Sequence, residues 1–391
     1  MGFFIEAKKL IKENIREYGM YIALVVIMLI FTITTNGLFI SSRNISNLIN
    51  QTGYIAVLAV GMTLVIVIKH IDLSVGFAAG FMGAIAAILL TKFQAPIIVT
   101  VMIVLVVGIL IGLFNGFLVA SMGIPSFVAT LAGMLIFRGA LLLLTEGSGT
   151  IVISNKTFNA IGNGFIPDIA NVQGVHVLTI LLGILAIILY AYSSFNKRKN
   201  KIKYNFEVVS MEMFIFQLIF VSAIIAYITW ILAGYNGLSW TVVIVIAVVA
   251  IYHYVTTETV LGRHIYAVGG NLEAAKLSGI NVKKITYIVF ASMSMLAALS
   301  GILFTSRLQS ASTTAGTLFE LDAIAAAYVG GVSADGGVGK VVGSIIGALV
   351  MSSLISGMNL MGTVISYQYI IRGAVLVIAV IFDVKTRNKS K

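Results

Sequence analysis

Apolar runs of about twenty residues follow one another almost from end to end of this chain, separated by short polar punctuation. A hydrocarbon core of roughly 30 Å takes about 20 apolar helical residues per crossing. Backbone in lipid must also satisfy its own N–H and C=O groups, which leaves helices and closed barrels as the spanning structures. These runs are long and continuous, not ten-residue alternating segments, so they exclude an outer-membrane barrel. The expected fold class is all-α, a polytopic helical membrane protein. Composition agrees: 59% of the 391 residues are hydrophobic and 10% charged, with a mean hydropathy of +1.07, too apolar for a soluble interior to hide.

Breaks at charge and Gly/Pro/Asn clusters place spans near 19–35, 54–68, 75–92, 97–121, 124–145, 174–194, 212–233, 238–256, 285–306, 341–357 and 365–383. A shorter apolar piece at 319–330 makes the total about 11 or 12. Most basic residues fall in four places: Lys8, Lys9, Lys12 and Arg16; the 196–205 loop; Arg263, Lys276, Lys283 and Lys284; and Lys385, Arg387, Lys389 and Lys391. The positive-inside rule puts all four in the cytoplasm. Segments on one side must be separated by an even number of crossings, and the last stretch is even only if 319–330 crosses as a short helix, half of a broken span. Backbone breaks at membrane depth only where protein or a water-filled cavity satisfies it. Met20 to Thr35 is followed by no small-residue cleavage site and reads as an uncleaved first helix, giving a multi-pass protein with both termini cytoplasmic.

Several chemistries are excluded. With no cysteine there is no disulfide framework, thiol catalysis or Cys-ligated metal. The formal charge of +11 lies in loops while Phe and Tyr lie in apolar runs, the pattern of membrane topology and not of nucleic-acid binding. Gly336 to Lys340 resembles a phosphate loop, but the Walker pattern needs Gly at 334 and Ser or Thr at 341, where Ala334 and Val341 stand. No cofactor, metal site or catalytic constellation is expected, so uphill transport would draw on an ion gradient or a partner. Gly108, Gly112 and Gly116, like Gly343 and Gly347, recur on one helix face and suit close helix packing.

The 257–284 loop carries its own architecture. Gly269 and Gly270 are expected to break the preceding structure, Asn271 to cap a new helix, and Gly279 to end it two turns later. Ala274 and Ala275 are small enough for close docking. Glu273-Ala274-Ala275 followed by Gly279 resembles the EAA-x3-G loop of ABC importer permeases, whose short helix fits a cleft of the ATPase subunit. Three further strings resemble the sugar branch of the branched-chain amino acid and monosaccharide permease family: Ile71-Asp72-Leu73-Ser74-Val75-Gly76; Gly123 to Leu131 with Arg138-Gly139; and Glu320 to Ala326 running on to Val329-Gly330-Gly331. They fall in the family's order over nearly the whole chain. Two departures stand out. Lys69-His70 replaces the small residues usual before the Ile-Asp-Leu-Ser string, and an added pair of spans around 174–233 gives the length of xylose-type permeases.

The resemblance implies a single transmembrane permease domain over 1–391 in the bacterial cytoplasmic (inner) membrane, importing a monosaccharide, pentose or hexose, with xylose favoured. It implies ATPase subunits, an extracytoplasmic sugar-binding protein and a second permease copy as partners, with Gly270, Asn271, Glu273, Ala274, Ala275 and Gly279 coupling to the ATPase. Tight recognition would reside in the binding protein, leaving the permease a weak, hydrated passage. Candidates for its wall are Asp72, Asn115, Glu320 and Asp322. Asp72 also suits a helix cap, Asn115 and Arg372 suit interhelical hydrogen bonds, and the two acids at the start of 319–330 sit at a positive dipole end. A nucleoside or branched-chain amino acid permease, or an ion-coupled secondary transporter, is the alternative.

Overall fold

The computed structural model describes residues 15–146, 149–170 and 174–388. Lys8, Lys9, Lys12, Lys389 and Lys391 lie outside the described residues. Among the described residues, fifteen α-helices follow in order. They are α1 (Ile15–Thr34), α2 (Ser42–Val67), α3 (Val75–Thr91), α4 (Ile97–Ala120), α5 (Ser126–Thr145), α6 (Lys156–Asn163), α7 (Val177–Lys203) and α8 (Met211–Ala233). After them come α9 (Trp240–Glu258), α10 (Val260–Gly270), α11 (Leu272–Leu277), α12 (Val282–Leu308), α13 (Phe319–Val329), α14 (Val341–Leu360) and α15 (Ile365–Asn388). Among the described residues, nine helices are long and apolar enough to cross a membrane, and α1 and α3 are shorter apolar helices. The only sheet among the described residues is one antiparallel pair, Thr150–Val152 with Ser310–Ser312.

Every expected span coincides with a helix, but the basic stretch expected to be a loop over 196–205 is helical as far as Lys203, because α7 runs on past its apolar part. The second span is longer than its apolar run: α2 begins at Ser42, not 54, because Ser41 caps it through the N–H of Asn44. The short piece stands as α13, which at about 1.5 Å per residue covers only about half of a bilayer core.

Three helices make the axis: α2, α14 and α12 bury 89%, 78% and 67% of their spanning windows. Close approach is bought by the glycine stripes. A Cβ at Gly112 would stand 2.5 Å from the Cα of Ala291 on α12, and Gly108 and Gly116 face Ala298 and Tyr287 of the same helix. Gly343 and Gly347 bring α14 onto Gly330 and Ala326 of α13. Such contacts supply dispersion where lipid removes the hydrophobic drive. Hydroxyls tie the axis together: Ser300 donates to the Tyr54 carbonyl at 2.9 Å, and Thr63 bonds Ser344.

The pair α7 and α8 is built differently, with 11% of each window buried. The two pack on each other at Gly183 and Thr229. Their far ends are closed by His176 N–H to the Ala233 carbonyl at 2.9 Å. There the Asp168 carboxylate accepts from the N–H groups of Ile169, Val177 and Leu178, with His176 3.8 Å away. Desolvation pushes the Asp168 carboxyl up, but the three N–H donors of Leu178, Val177 and Ile169 together with His176 outweigh it and hold the carboxyl below its ordinary range.

Candidate functional site

The loop that resembles a coupling loop folds as two helices at the basic end of the bundle. Gly269 and Gly270 do not interrupt it as expected: α10 runs through both, and a Cβ at Gly269 would collide with the Val67 carbonyl, so the glycine serves close approach. Asn271 caps α11 as expected, accepting from the Ala274 N–H at 3.0 Å. Gly279 takes φ +81°, which a side chain resists, and its N–H closes on the Lys276 carbonyl. Ala275 is buried against the bundle, whereas Leu272, Glu273, Ala274, Lys276 and Leu277 face outward. Leu277 is 90% exposed; sequence reasoning did not single it out, and only the helix phase reveals it as the outward apolar knob. Glu273 pairs with Lys276 on its own helix at 3.2 Å, with both ends exposed, a weak contact that leaves the carboxylate open to a partner.

Behind this helix the fixings are specific. Asn281 caps α12 directly after the turn, through the Lys284 N–H, so α11 and the axis helix α12 share one short joint. On the other side, the Tyr266 hydroxyl donates to the Gly339 carbonyl and the Gly337 N–H to the Val67 carbonyl at 2.8 Å. The string that imitates a phosphate loop is thus a backbone knot, with Gly336 and Gly337 at φ +74° and +71°. Lys69 joins it. The residue is left-handed at φ +64°, Gly336 packs on its stem, and its Nζ reaches the Gly270 carbonyl at 3.5 Å. The lysine therefore bridges to the last carbonyl of α10, where a cation is favoured.

From Lys69 the chain does not enter the next helix at once. Residues 70–73 belong to no helix and run beside α5: the Ile71 N–H donates to Ser126 Oγ at 3.3 Å and the Leu73 N–H to Thr130 Oγ1 at 3.1 Å. Ser74 lies against Gly133, two turns up α5. This second break, which sequence reasoning read as a simple helix junction, is paid for by the hydroxyls of α5. Asp72 is fully buried and accepts from both the N–H and hydroxyl of Ser74, at 2.9 and 2.6 Å. Asn115 of α4 donates to the same Ser74 hydroxyl at 3.1 Å. Asp72 and Asn115 therefore meet through Ser74, and hold the break in shape.

The other break enters from the opposite end. Leu318 is left-handed at φ +66° and starts α13; Phe319 anchors that start between Tyr54 and Phe304, with ring centroids at 4.7 and 4.8 Å. The two short helices meet amino end to amino end. Gly76 of α3 has no room for a Cβ because the Glu320 carboxylate and the Gly316 carbonyl occupy it. Glu320 is 3% exposed, its Oε2 without a hydrogen-bond partner, and is set where two positive dipole ends converge. Asp322, on another face of α13, lies 3.5 Å from Arg372 of α15. The arrangement has two parts: a short helix exposed at the surface, and two helix breaks within the bundle joined to it by α12 and the Lys69 knot. Among the described residues no cluster of His, Asp and Glu could hold a metal ion.

The sequence matches the family described as branched-chain amino acid transport system / permease component over residues 44–380. It is 39% identical to a xylose transport system permease protein of Haemophilus influenzae over 98% of this chain and 99% of the relative. Identity to the xylose transport system permease protein of Escherichia coli K12 is 38%, over 96% of this chain and 94% of the relative. A ribose import permease protein of Haemophilus influenzae is 35% identical over 94% of this chain and 93% of its own. No solved structure matches.

Proposed function

The chain belongs to this family of branched-chain amino acid transport system permease components, and from that premise we propose that it is the membrane-spanning subunit of an ABC importer for a monosaccharide, a pentose of the xylose kind first. The relatives named for xylose and ribose support the sugar. The observation that carries the mechanism is the outward α11, with buried Ala275 behind and exposed Leu277 in front, mounted directly on α12. Two ATPase subunits closing on ATP would press α11, and its displacement would reach both helix breaks. A second copy of the permease would complete the passage, and an extracytoplasmic binding protein would deliver the sugar. The basic end faces the cytoplasm of a bacterial cell whose inner membrane holds the protein. Gly270, Asn271, Glu273, Ala274, Ala275 and Gly279 serve coupling. Asp72 and Asn115 shape one wall of the passage, Glu320 and Asp322 the other, and α7 with α8 is peripheral to it.

Reconstitution tests the reading. In proteoliposomes holding the permease with its ATPase and binding protein, xylose uptake should require ATP and survive ionophores. Uptake driven by an ion gradient in the absence of the ATPase would replace it with the secondary-transporter reading. Because the chain has no cysteine, single cysteines at Lys199 and Asn281 report sidedness; both should be protected from an impermeant thiol reagent in intact cells.

A further inference from the structure

Between α13 and α15, in the half of the bundle away from the basic end, lies a recess of about 370 Å³. Its polar lining is Thr317, Asp322, Tyr369 and Arg372, and Leu321 and Met351 are among its apolar residues. We propose that this recess is a monosaccharide subsite of the passage, where the Asp322 carboxylate accepts from one sugar hydroxyl while the Arg372 guanidinium donates to its neighbour.

Three observations carry the assignment. The ion pair is loose: one contact at 3.5 Å, where a charge-assisted N–H to carboxylate bond closes to about 2.8 Å. The guanidinium is also underused, since of its five donors the buried Nε has no partner. Buried donors left open by the protein call for water or a ligand. Finally, Arg372 sits two turns inside α15 and turns sideways onto α13 instead of running to the helix end, with 20% of its side chain still open. A cation opening onto hydrocarbon there is costly, so its open side calls for a polar group within the recess.

The chemistry of the walls suits a sugar. Each hydroxyl both donates and accepts, so vicinal hydroxyls match a carboxylate beside a guanidinium, and the half-open pair can admit them without separating two opposite charges completely. Tyr369, 48% exposed, presents a ring to the C–H face of a pyranose. The volume is at the low end for small-molecule sites, room for one monosaccharide. Because Asp322 and Arg372 cancel in charge, a neutral cargo pays no electrostatic penalty on leaving, as a passage requires. This inference rests on the sugar-permease reading and adds to it a residue, Arg372, and a place of contact.

The test uses Thr317→Cys in the otherwise cysteine-free chain, within the assembled permease–ATPase complex and without binding protein. D-xylose should slow modification of the introduced thiol, by about threefold at twice its dissociation constant, and betaine at equal osmolarity should not. Arg372→Gln and Asp322→Asn in the same background should abolish the protection while the complex elutes as before. If Arg372→Gln fails to assemble, Arg372→Lys, which keeps the charge and loses the planar fork, should still lose protection. Absence of protection up to the solubility of xylose, equal protection in the variants, or a thiol already shielded by a second copy, with Arg372→Gln dispersing the dimer, overturns the subsite. ATP-driven xylose uptake by the unmodified complex is scored separately, so the subsite can fall while the permease reading stands.

Discussion

The axis helix α2 and the outer pair α7 and α8 invert the rule of soluble proteins. The buried helix is the less apolar: α2 carries Ser46, Asn50, Thr52 and Thr63 inside the bundle, whereas α7 and α8 spread Leu, Ile, Phe and Tyr outward with 11% of their spanning windows buried. Lipid explains this, for apolar side chains gain nothing by leaving one hydrocarbon for another, while small and hydroxyl-bearing residues gain contacts and hydrogen bonds by coming together. Hydropathy therefore marks the lipid-facing surface, and the machinery lies where it dips. The Ile-Asp-Leu-Ser break and α13 are both in such dips.

The strongest way to break this comparison is to put bulk into each region. Gly112→Leu would drive a side chain into the backbone of α12, with the Phe290 carbonyl oxygen nearest the first added carbon; overpacking of this kind costs about 1–3 kcal/mol or more. It should leave little folded protein by size-exclusion chromatography. Gly183→Leu meets only the Thr229 side chain and should loosen the α7–α8 contact with folded yield retained. Equal loss in both would show the outer pair to be as structural as the axis.

Next in size is the break itself. Asp72→Ala removes both hydrogen bonds to Ser74 and leaves buried groups unsatisfied, a cost of about 1–3 kcal/mol each; uptake should fall at least about tenfold. Asp72→Asn retains the acceptor and should recover part of it. Excision of 177–232, whose flanking residues His176 and Ala233 are already hydrogen-bonded, should in contrast preserve ATP-driven uptake when replaced by a short Gly-Ser linker. Loss of uptake in a well-folded excised protein would place the pair inside the mechanism.

Lys69→Gly sharpens the comparison at the coupling end. It relieves the left-handed backbone while removing the bridge to Gly270. Thermal stability should be unchanged or slightly higher while ATP hydrolysed per sugar imported rises. An unchanged ratio would assign Lys69 to the surface alone. The smallest effect expected is at the outer pair's cap. The depressed Asp168 carboxyl contributes stability that is complete above the ordinary Asp pKa of about 3.9 and is lost as pH falls through the lower folded value. Hydrogen exchange at Val177 and Leu178 should therefore hold its protection down to mildly acidic pH and lose it only in strong acid, with the axis helices unaffected.

The sequence by itself determined the spanning helices, the cap at Asn271, the stop at Gly279 and the short helix beginning at Phe319, because each is written in a local period or a local turn residue. The glycine stripes were legible as packing faces, though not which helix each would meet. Tertiary structure alone decided the rest. Ser126 and Thr130, far along the chain, pay for the non-helical backbone before α3, so the second break could not be seen from its own residues. Gly76 and Glu320 share one space, Arg372 finds Asp322, and Lys69 finds Gly270 only when separate helices are brought side by side. In a bilayer each span is stable from its own backbone hydrogen bonds, so its existence is local information. Which polar groups meet is fixed by helix-on-helix packing, which no single span contains.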